Sequence, residues 1–230
     1  MRIDLVFDTI CPWCFIGKRQ LDLLVAQKTN LNFEINWHSF FLNPGMPLEG
    51  MEYQEYTQKK FGGKLKNENV HNTIKQIAKR INLEFDFSRI KQVPNSLDSH
   101  RMVKLASQQN QGREMLEALY ESYFIMGRNI GDRSVLIDIG TKLGYDSIEV
   151  KKYLFSDKDI VETLDQNHST LRLGISGIPA FIFDDKFSIS GAQDNKILLR
   201  MLNIAEDDVD DATIQNIQPY LKGKQDHNDL

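Results

Sequence analysis

Cysteine is scarce in this sequence: only two of its 230 residues are cysteines, Cys11 and Cys14. The disulfide frameworks that hold small secreted domains together need more pairs than this. A zinc site is disfavoured as well, because no second cysteine pair exists and none of the five histidines shows the spacing of metal ligands. We therefore expect neither a structural disulfide nor a bound metal, and two thiols that are free for chemistry.

Long apolar runs and an excess of basic charge are also missing. No apolar stretch approaches the about 18–20 residues that a membrane span needs. Residues 1–8 are too short an apolar segment, interrupted by Asp4, to resemble a secretory signal. The net charge is −4, without the basic stripe of a nucleic-acid-binding protein. We expect a cytoplasmic protein without a cofactor, whose partners are neither nucleic acids nor membranes.

Length and composition leave room for a sizeable core. A chain of 230 residues, 41% hydrophobic and 26% charged, is typical of a soluble globular protein. It fits one domain with an insertion or two compact domains. The first part, residues 1–44, has the pattern of a strand at 3–7, a helix at 12–28 and a strand at 31–41. A helix between two strands predicts a parallel pair with a right-handed crossover.

In the middle part, residues 45–168, the pattern is almost entirely helical. Asp132, Asp146 and Ser156 stand where helix N-caps are expected, because their side chains can accept bonds from the first backbone N–H groups. The predicted helices lie at 51–61, 70–81, 98–109 and 113–126, followed by three that begin after these caps.

The third part, residues 169–221, returns to strands. An apolar run at 180–183 and an alternating run at 186–190 predict a hairpin with an acidic turn between them. A helix is predicted at 195–204, and residues 222–230 are predicted to form a polar tail. The order of elements therefore predicts two α/β halves with an all-helical part inserted between them.

The two cysteines lie between the first strand and the first helix, in the order Cys11, Pro12, Trp13, Cys14. A helix start presents unpaired backbone N–H groups and the positive end of the helix dipole. Both favour the thiolate, so we expect Cys11 to be exposed and to be the attacking sulfur. Cys14, one turn further along, should be more buried and should release the product by attacking the mixed disulfide. Pro12 and Trp13 would adjust the redox potential of the pair.

Four stretches of the chain resemble the DsbA family of thioredoxin-like oxidoreductases, and within it the FrnE-like branch. They occur in the order of that family and span nearly the whole chain. This resemblance implies an α/β thioredoxin fold with an all-helical domain inserted between its halves. It also implies that the protein is a thiol–disulfide oxidoreductase. The four stretches are residues 8–17, 40–44, 95–101, and 176–181 followed by 190–192.

The resemblance also implies further site residues. It places Pro179 opposite the two cysteines, with a cis bond to Ile178 whose backbone is free to bind a passing substrate chain. From spacing alone, a trans proline opening a strand fits equally well. Asp8 could assist proton movement between the sulfurs or, as we favour, accept loop N–H bonds. His100 could bind a thiolate, or it could be an ordinary histidine between helices.

Three functions stay open. The leading one is oxidation, reduction or isomerisation of disulfides in protein or small-molecule substrates through Cys11 and Cys14. The second is a thiol-dependent transferase or isomerase of the kappa glutathione transferase or 2-hydroxychromene-2-carboxylate isomerase type. Those relatives typically carry serine in place of the first cysteine. The third is a non-catalytic, redox-sensing adaptor. The oligomeric state is not predictable from the sequence.

Overall fold

The chain begins with the predicted strand, helix and strand. The structure is a computed structural model and describes residues 1–62, 64–172, 174–175 and 177–206. The predicted polar tail at 222–230 lies outside these residues. Strand β1 (Arg2–Phe7), helix α1 (Pro12–Gln27) and strand β2 (Glu34–Ser39) follow one another, and the two strands pair in parallel. The predicted crossover unit is therefore confirmed.

Most of the chain between β2 and the last strands is helical, as predicted. One addition is a small antiparallel ribbon of two strands, β3 (Met51–Glu52) and β4 (Gln92–Val93). Each of its strands has two residues, too few to show any periodicity in the sequence. The helices are α2 (Tyr53–Phe61), α3 (Lys64–Lys79), α4 (Leu97–Ser107), α5 (Gly112–Tyr120), α6 (Arg133–Lys142), α7 (Ser147–Leu154) and α8 (Ile160–Arg172).

Two of the three predicted N-caps are confirmed. The Asp132 side chain accepts a bond from the backbone N–H of Ser134, and Asp146 accepts bonds near the start of α7. Ser156 does not cap α8, because its hydroxyl accepts from the Lys158 N–H while the helix begins only at Ile160.

The last described elements are strand β5 (Ala180–Phe183), strand β6 (Phe187–Ser190) and helix α9 (Asn195–Glu206). The strands form the predicted hairpin, and both turn residues, Asp184 and Asp185, have positive φ angles of 46° and 57°. Two left-handed residues match the right-handed twist of a tight hairpin, and aspartate tolerates that conformation better than most residues.

The main sheet has the strand order β2-β1-β5-β6, with β5 antiparallel to β1. Strand β1 is therefore central, and its residues from Ile3 to Phe7 are buried. The two halves of the chain meet at the β1–β5 pairing, which places the residues after β1 close to those before β5. None of the helices in the described part of the chain is long and apolar enough to span a membrane.

Candidate active site

The candidate site forms where β1 ends and α1 begins. Cys11 is the N-cap residue of α1, with extended backbone angles of φ −95° and ψ 112°. Its N–H donates to the Asp8 carbonyl at 3.1 Å, and its own carbonyl accepts from the N–H groups of Cys14 and Phe15. Pro12 takes the first helical position, where a missing N–H costs nothing because that group would have no partner within the helix. The sequence thereby fixes Cys11 at the positive end of α1.

Both cysteines are buried free thiols. Cys14 is fully buried, as expected. The predicted exposure of Cys11 is wrong, since only 3% of its surface is accessible. It belongs to the same buried apolar cluster as Ile10, Phe15 and Ile178, so tertiary packing covers the helix start.

Cys14 lies in surroundings that oppose its ionisation. Burial raises the pKa of the Cys14 thiol well above its ordinary value, and the neighbouring Cys11 sulfur acts in the same direction. The backbone N–H of Asp8 lowers that pKa, while the Asp8 carboxylate raises it. Cys14 is therefore a protonated thiol at neutral pH until some group accepts its proton.

Pro12 and Trp13 lie between the two cysteines and are half-buried. Trp13 packs against the main apolar core. The dipeptide thus lies at the boundary between the core and the surface of the site.

Pro179 lies against α1. Its bond to Ile178 is cis, as predicted. A Cβ atom placed on Gly17 would come within 2.7 Å of Pro179 Cγ and 3.2 Å of Phe181 Cζ, so only glycine allows this close approach. The Pro179 carbonyl accepts a bond from the Gly191 N–H at 2.7 Å. Sequence reasoning missed the role of Gly17. The available signal was a glycine inside a helical pattern, which costs about 1 kcal/mol relative to alanine.

Asp8 is fully buried and holds the loop that carries Cys11. Its carboxylate accepts from the Leu42 N–H at 2.8 Å and from the Ile10 N–H at 3.3 Å. Its carbonyl accepts from the Tyr120 hydroxyl at 3.1 Å. These contacts are those of a residue that accepts loop N–H bonds, the interpretation favoured from the sequence.

His100 on α4 contacts Asp8 and not a thiol. Its Nε2 lies 3.2 Å from Asp8 Oδ1, and its ring lies between the rings of Phe7 and Phe41, with centroid distances of 5.0 and 4.9 Å. Its Nδ1 is buried and has no hydrogen-bond partner within the part of the chain that the structure describes. The structure therefore brings His100 to the site through its contact with Asp8.

The residue after His100 in α4 is Arg101, and it is fully buried. Its guanidinium donates to the Asp98 carboxylate and to the carbonyls of Tyr153 and Ser156, at 2.6–2.8 Å. Further bonds reach the carbonyls of Leu154 and Lys158. Arg101 thus joins α4 to the connection between α7 and α8, a structural task away from the thiols.

Solved structures of other proteins share this fold. A probable DsbA oxidoreductase from Streptomyces coelicolor is 24% identical, with a TM-score of 0.83 over 91% of this chain and 92% of its own. A 2-hydroxychromene-2-carboxylate isomerase is 16% identical, with a TM-score of 0.67 over 95% and 98%. The cytosolic disulfide reductase DsbM from Pseudomonas aeruginosa, in a structure with GSH, is 20% identical, with a TM-score of 0.58 over 89% and 95%. At such identities the likeness shows the fold alone, and it confirms the α/β fold class with the helical insertion.

The family assignment comes from the sequence itself. A family model described as a DSBA-like thioredoxin domain matches residues 2–203, nearly all of the described chain. The match includes both cysteines at their two-residue spacing, the central strand and the segment around Pro179. The chain belongs to the DSBA-like thioredoxin domain family, a family of disulfide oxidoreductases and related isomerases.

Proposed function

We propose that this protein is a thiol–disulfide oxidoreductase that acts through Cys11 and Cys14. The observation that carries the proposal is the placement of two free thiols one helical turn apart, with the first at the N-cap of α1. Backbone N–H groups and the dipole of a helix start favour negative charge there. A second sulfur one turn away is within reach of a disulfide formed at the first.

The reaction has two exchange steps. The Cys11 thiolate attacks one sulfur of a substrate disulfide, so that a mixed disulfide forms and the first substrate thiolate leaves and takes up a proton. Cys14 then loses its proton and attacks the Cys11 sulfur, which releases the second substrate thiol. Two electrons pass to the substrate, and the Cys11–Cys14 disulfide is returned to the dithiol by two molecules of a reduced thiol such as glutathione, which leave as their own disulfide.

The other site residues have supporting roles in this proposal. Pro12 and Trp13 adjust the stability of the reduced pair. The Ile178 backbone, next to Pro179, binds the substrate chain as an added strand. Asp8, together with His100, holds the loop before Cys11 in place.

The direction of electron flow is proposed to be reductive, in the cytoplasm. DsbM, whose fold this chain shares, is a cytosolic disulfide reductase whose structure was solved with GSH. A compartment rich in reduced thiols would keep Cys11 and Cys14 in the dithiol form that the reductive reaction needs.

The test uses two single variants and glutathione as the reductant. Cys11→Ser should abolish insulin reduction, because the attacking sulfur is gone. In a single-turnover reaction without added glutathione, Cys14→Ser should attack but not release, so mixed disulfides should accumulate and be visible by mass spectrometry. The wild-type chain has no third cysteine, so every adduct in Cys14→Ser maps to Cys11. Undiminished turnover by Cys11→Ser would remove Cys11 from the mechanism.

A thiol-dependent isomerase is the second candidate, because the fold is shared with a 2-hydroxychromene-2-carboxylate isomerase. Both cysteines argue against it, since that chemistry uses one activated group and an external thiol. The same Cys14→Ser variant separates the two functions. A glutathione-dependent isomerase would keep its activity without Cys14, whereas the proposed reductase would no longer release the reduced substrate in a reaction without an external thiol.

A further inference from the structure

A small pocket lies between the residues that flank Cys11 and the helical insertion. Its volume is about 90 Å³. Ile10 and Pro12, the neighbours of Cys11 in the chain, form one wall. Helices α2 and α3 form the facing wall, with Thr57, Val70 and Ile74 among its residues.

The polar groups of this pocket already have partners within the protein. The Tyr53 hydroxyl is hydrogen-bonded to His71 Nε2 at 2.8 Å, and the Tyr123 hydroxyl donates to the Gln92 carbonyl at 3.3 Å. Burial and the positive charge of Lys75 lower the pKa of His71 to about 4, so the imidazole is neutral at pH 7. Lys60 also lines the pocket, and its ammonium group donates to the Tyr56 hydroxyl at 2.8 Å. Apart from this cation, the wall that a ligand meets is uncharged and mostly apolar.

The size of the pocket fits an aliphatic group. A cavity of about 150 Å³ lined by apolar side chains can hold benzene. A volume of about 90 Å³ suits a smaller group, such as the side chain of valine, leucine or methionine. Burying such a side chain stabilises a complex through the apolar area that it removes from water.

The position of the pocket points to the residue next to a substrate cysteine. Consecutive Cα atoms are about 3.8 Å apart, so a cysteine bound at Cys11 holds its own neighbours within reach of the pocket. Beyond the pocket, Tyr53, His71 and Phe87 also line a groove of about 630 Å³ that includes Lys75 and Lys91. Because the groove shares these residues with the pocket, it offers room for a substrate peptide that is longer than a small disulfide molecule.

We propose that this pocket selects disulfide-bonded peptides or proteins whose reacting cysteine is flanked by an aliphatic residue. The inference rests on the proposed function, because it assumes that Cys11 attacks the substrate disulfide. It assigns substrate selection to the helical insertion, whose residues Thr57, Val70 and Ile74 build the wall opposite Ile10 and Pro12.

The experiment compares two synthetic peptide disulfides that differ only at the cysteine's neighbours. One carries leucine on both sides of the cysteine, and the other carries asparagine, which has nearly the same shape. For each peptide, the single-turnover rate with reduced wild-type protein is divided by the rate at which dithiothreitol reduces the same peptide. This ratio removes differences in the intrinsic reactivity of the two peptide disulfides. We expect the leucine peptide to react about tenfold faster, a difference of about 1.4 kcal/mol.

Filling the pocket should remove the preference. Val70→Phe places a larger side chain in the wall, and Thr57→Ile is a milder filling variant if the first does not fold. Both should lower the leucine-to-asparagine ratio to about twofold or less. The matched control, Val161→Phe, changes an α8 residue that is 64% exposed and should keep the full ratio.

The outcomes separate the inference from the proposed function. Equal wild-type rates for the two peptides, both well above the rate in buffer, would overturn the pocket's role and leave the reductase intact. An unchanged ratio in a folded filling variant would overturn it as well. Failure of the wild type to reduce either peptide would instead count against the function proposed for Cys11 and Cys14.

Discussion

The contact between Gly17 and Pro179 gives a prediction in which two effects oppose each other. Replacing a glycine inside a helix by alanine stabilises the helix by about 1 kcal/mol. In Gly17→Ala, however, the new Cβ would lie 2.7 Å from Pro179 Cγ, an atom of a rigid ring that cannot rotate away. Overpacking of this kind costs about 1–3 kcal/mol. We expect a net loss of about 0–2 kcal/mol and a displacement of Pro179 from α1.

Gly140→Ala is the matched control, because Gly140 also lies inside a helix, α6. Its new Cβ would meet Met102 Cε at 3.2 Å and Val150 Cγ2 at 3.3 Å, both ends of side chains that can adjust. The control should therefore be stabilised by up to about 1 kcal/mol. Urea unfolding measures the stability of both variants, and insulin reduction measures activity. We expect only Gly17→Ala to lose activity. Equal stabilities with normal turnover in both variants would refute the reasoning.

Three further predictions concern polar groups that are half-buried or fully buried. His71 is neutral in the folded protein down to about pH 4, while the unfolded chain binds a proton near 6.5, so the unfolding free energy should rise between these pH values and level off above them. Urea unfolding at about pH 5 and pH 7 should show a smaller rise in His71→Gln than in the wild type. Arg101→Lys leaves several buried acceptors without partners and should cost about 3–5 kcal/mol, measured by the same unfolding experiment; a loss under about 1 kcal/mol would contradict that structural role. Asp8→Asn turns an amide donor towards one of the groups that now donates to the carboxylate, and should cost about 1–3 kcal/mol of stability. His100→Phe, which removes a different partner of Asp8 while keeping a ring between Phe7 and Phe41, should cost less.

The sequence predicts the parts of the fold whose signals are local. The strand–helix–strand start follows from the short apolar run of β1, from the alternation of Phe33, Ile35 and Trp37 around β2, and from Pro12 at the first position of α1. The hairpin at the other end follows from two short runs around Asp184 and Asp185. Such signals need only neighbouring residues, since the backbone conformations of turns and helix starts are restricted by the residues that occupy them.

The features that the sequence does not predict depend on residues far apart in the chain. The Asp8–His100 contact joins positions 92 residues apart. The burial of Cys11 results from tertiary packing over a helix start that would be exposed in isolation. The helical spacing of Tyr120, Tyr123 and Phe124 predicts that these rings belong to the core, and all three are buried. That spacing gives no sign that residues Glu121–Ile125 form a π-helical segment or that Tyr123 and Phe124 line the pocket near Cys11.

The site therefore contains residues from the strand–helix–strand start and from the helical insertion, and Asp8 contacts both. Its carboxylate accepts from the Leu42 N–H, and its carbonyl accepts from the Tyr120 hydroxyl of the insertion while also accepting from the Cys11 N–H. The segment between β1 and α1 supplies the sulfurs, the segment before β5 supplies Pro179, and the helical insertion supplies one wall of the pocket and part of the support for the cysteine loop. It follows that substitutions at Cys11 should slow every substrate alike. Substitutions in the pocket wall should instead change the ratio between substrates, because the pocket contacts the residue beside the disulfide and not its sulfurs.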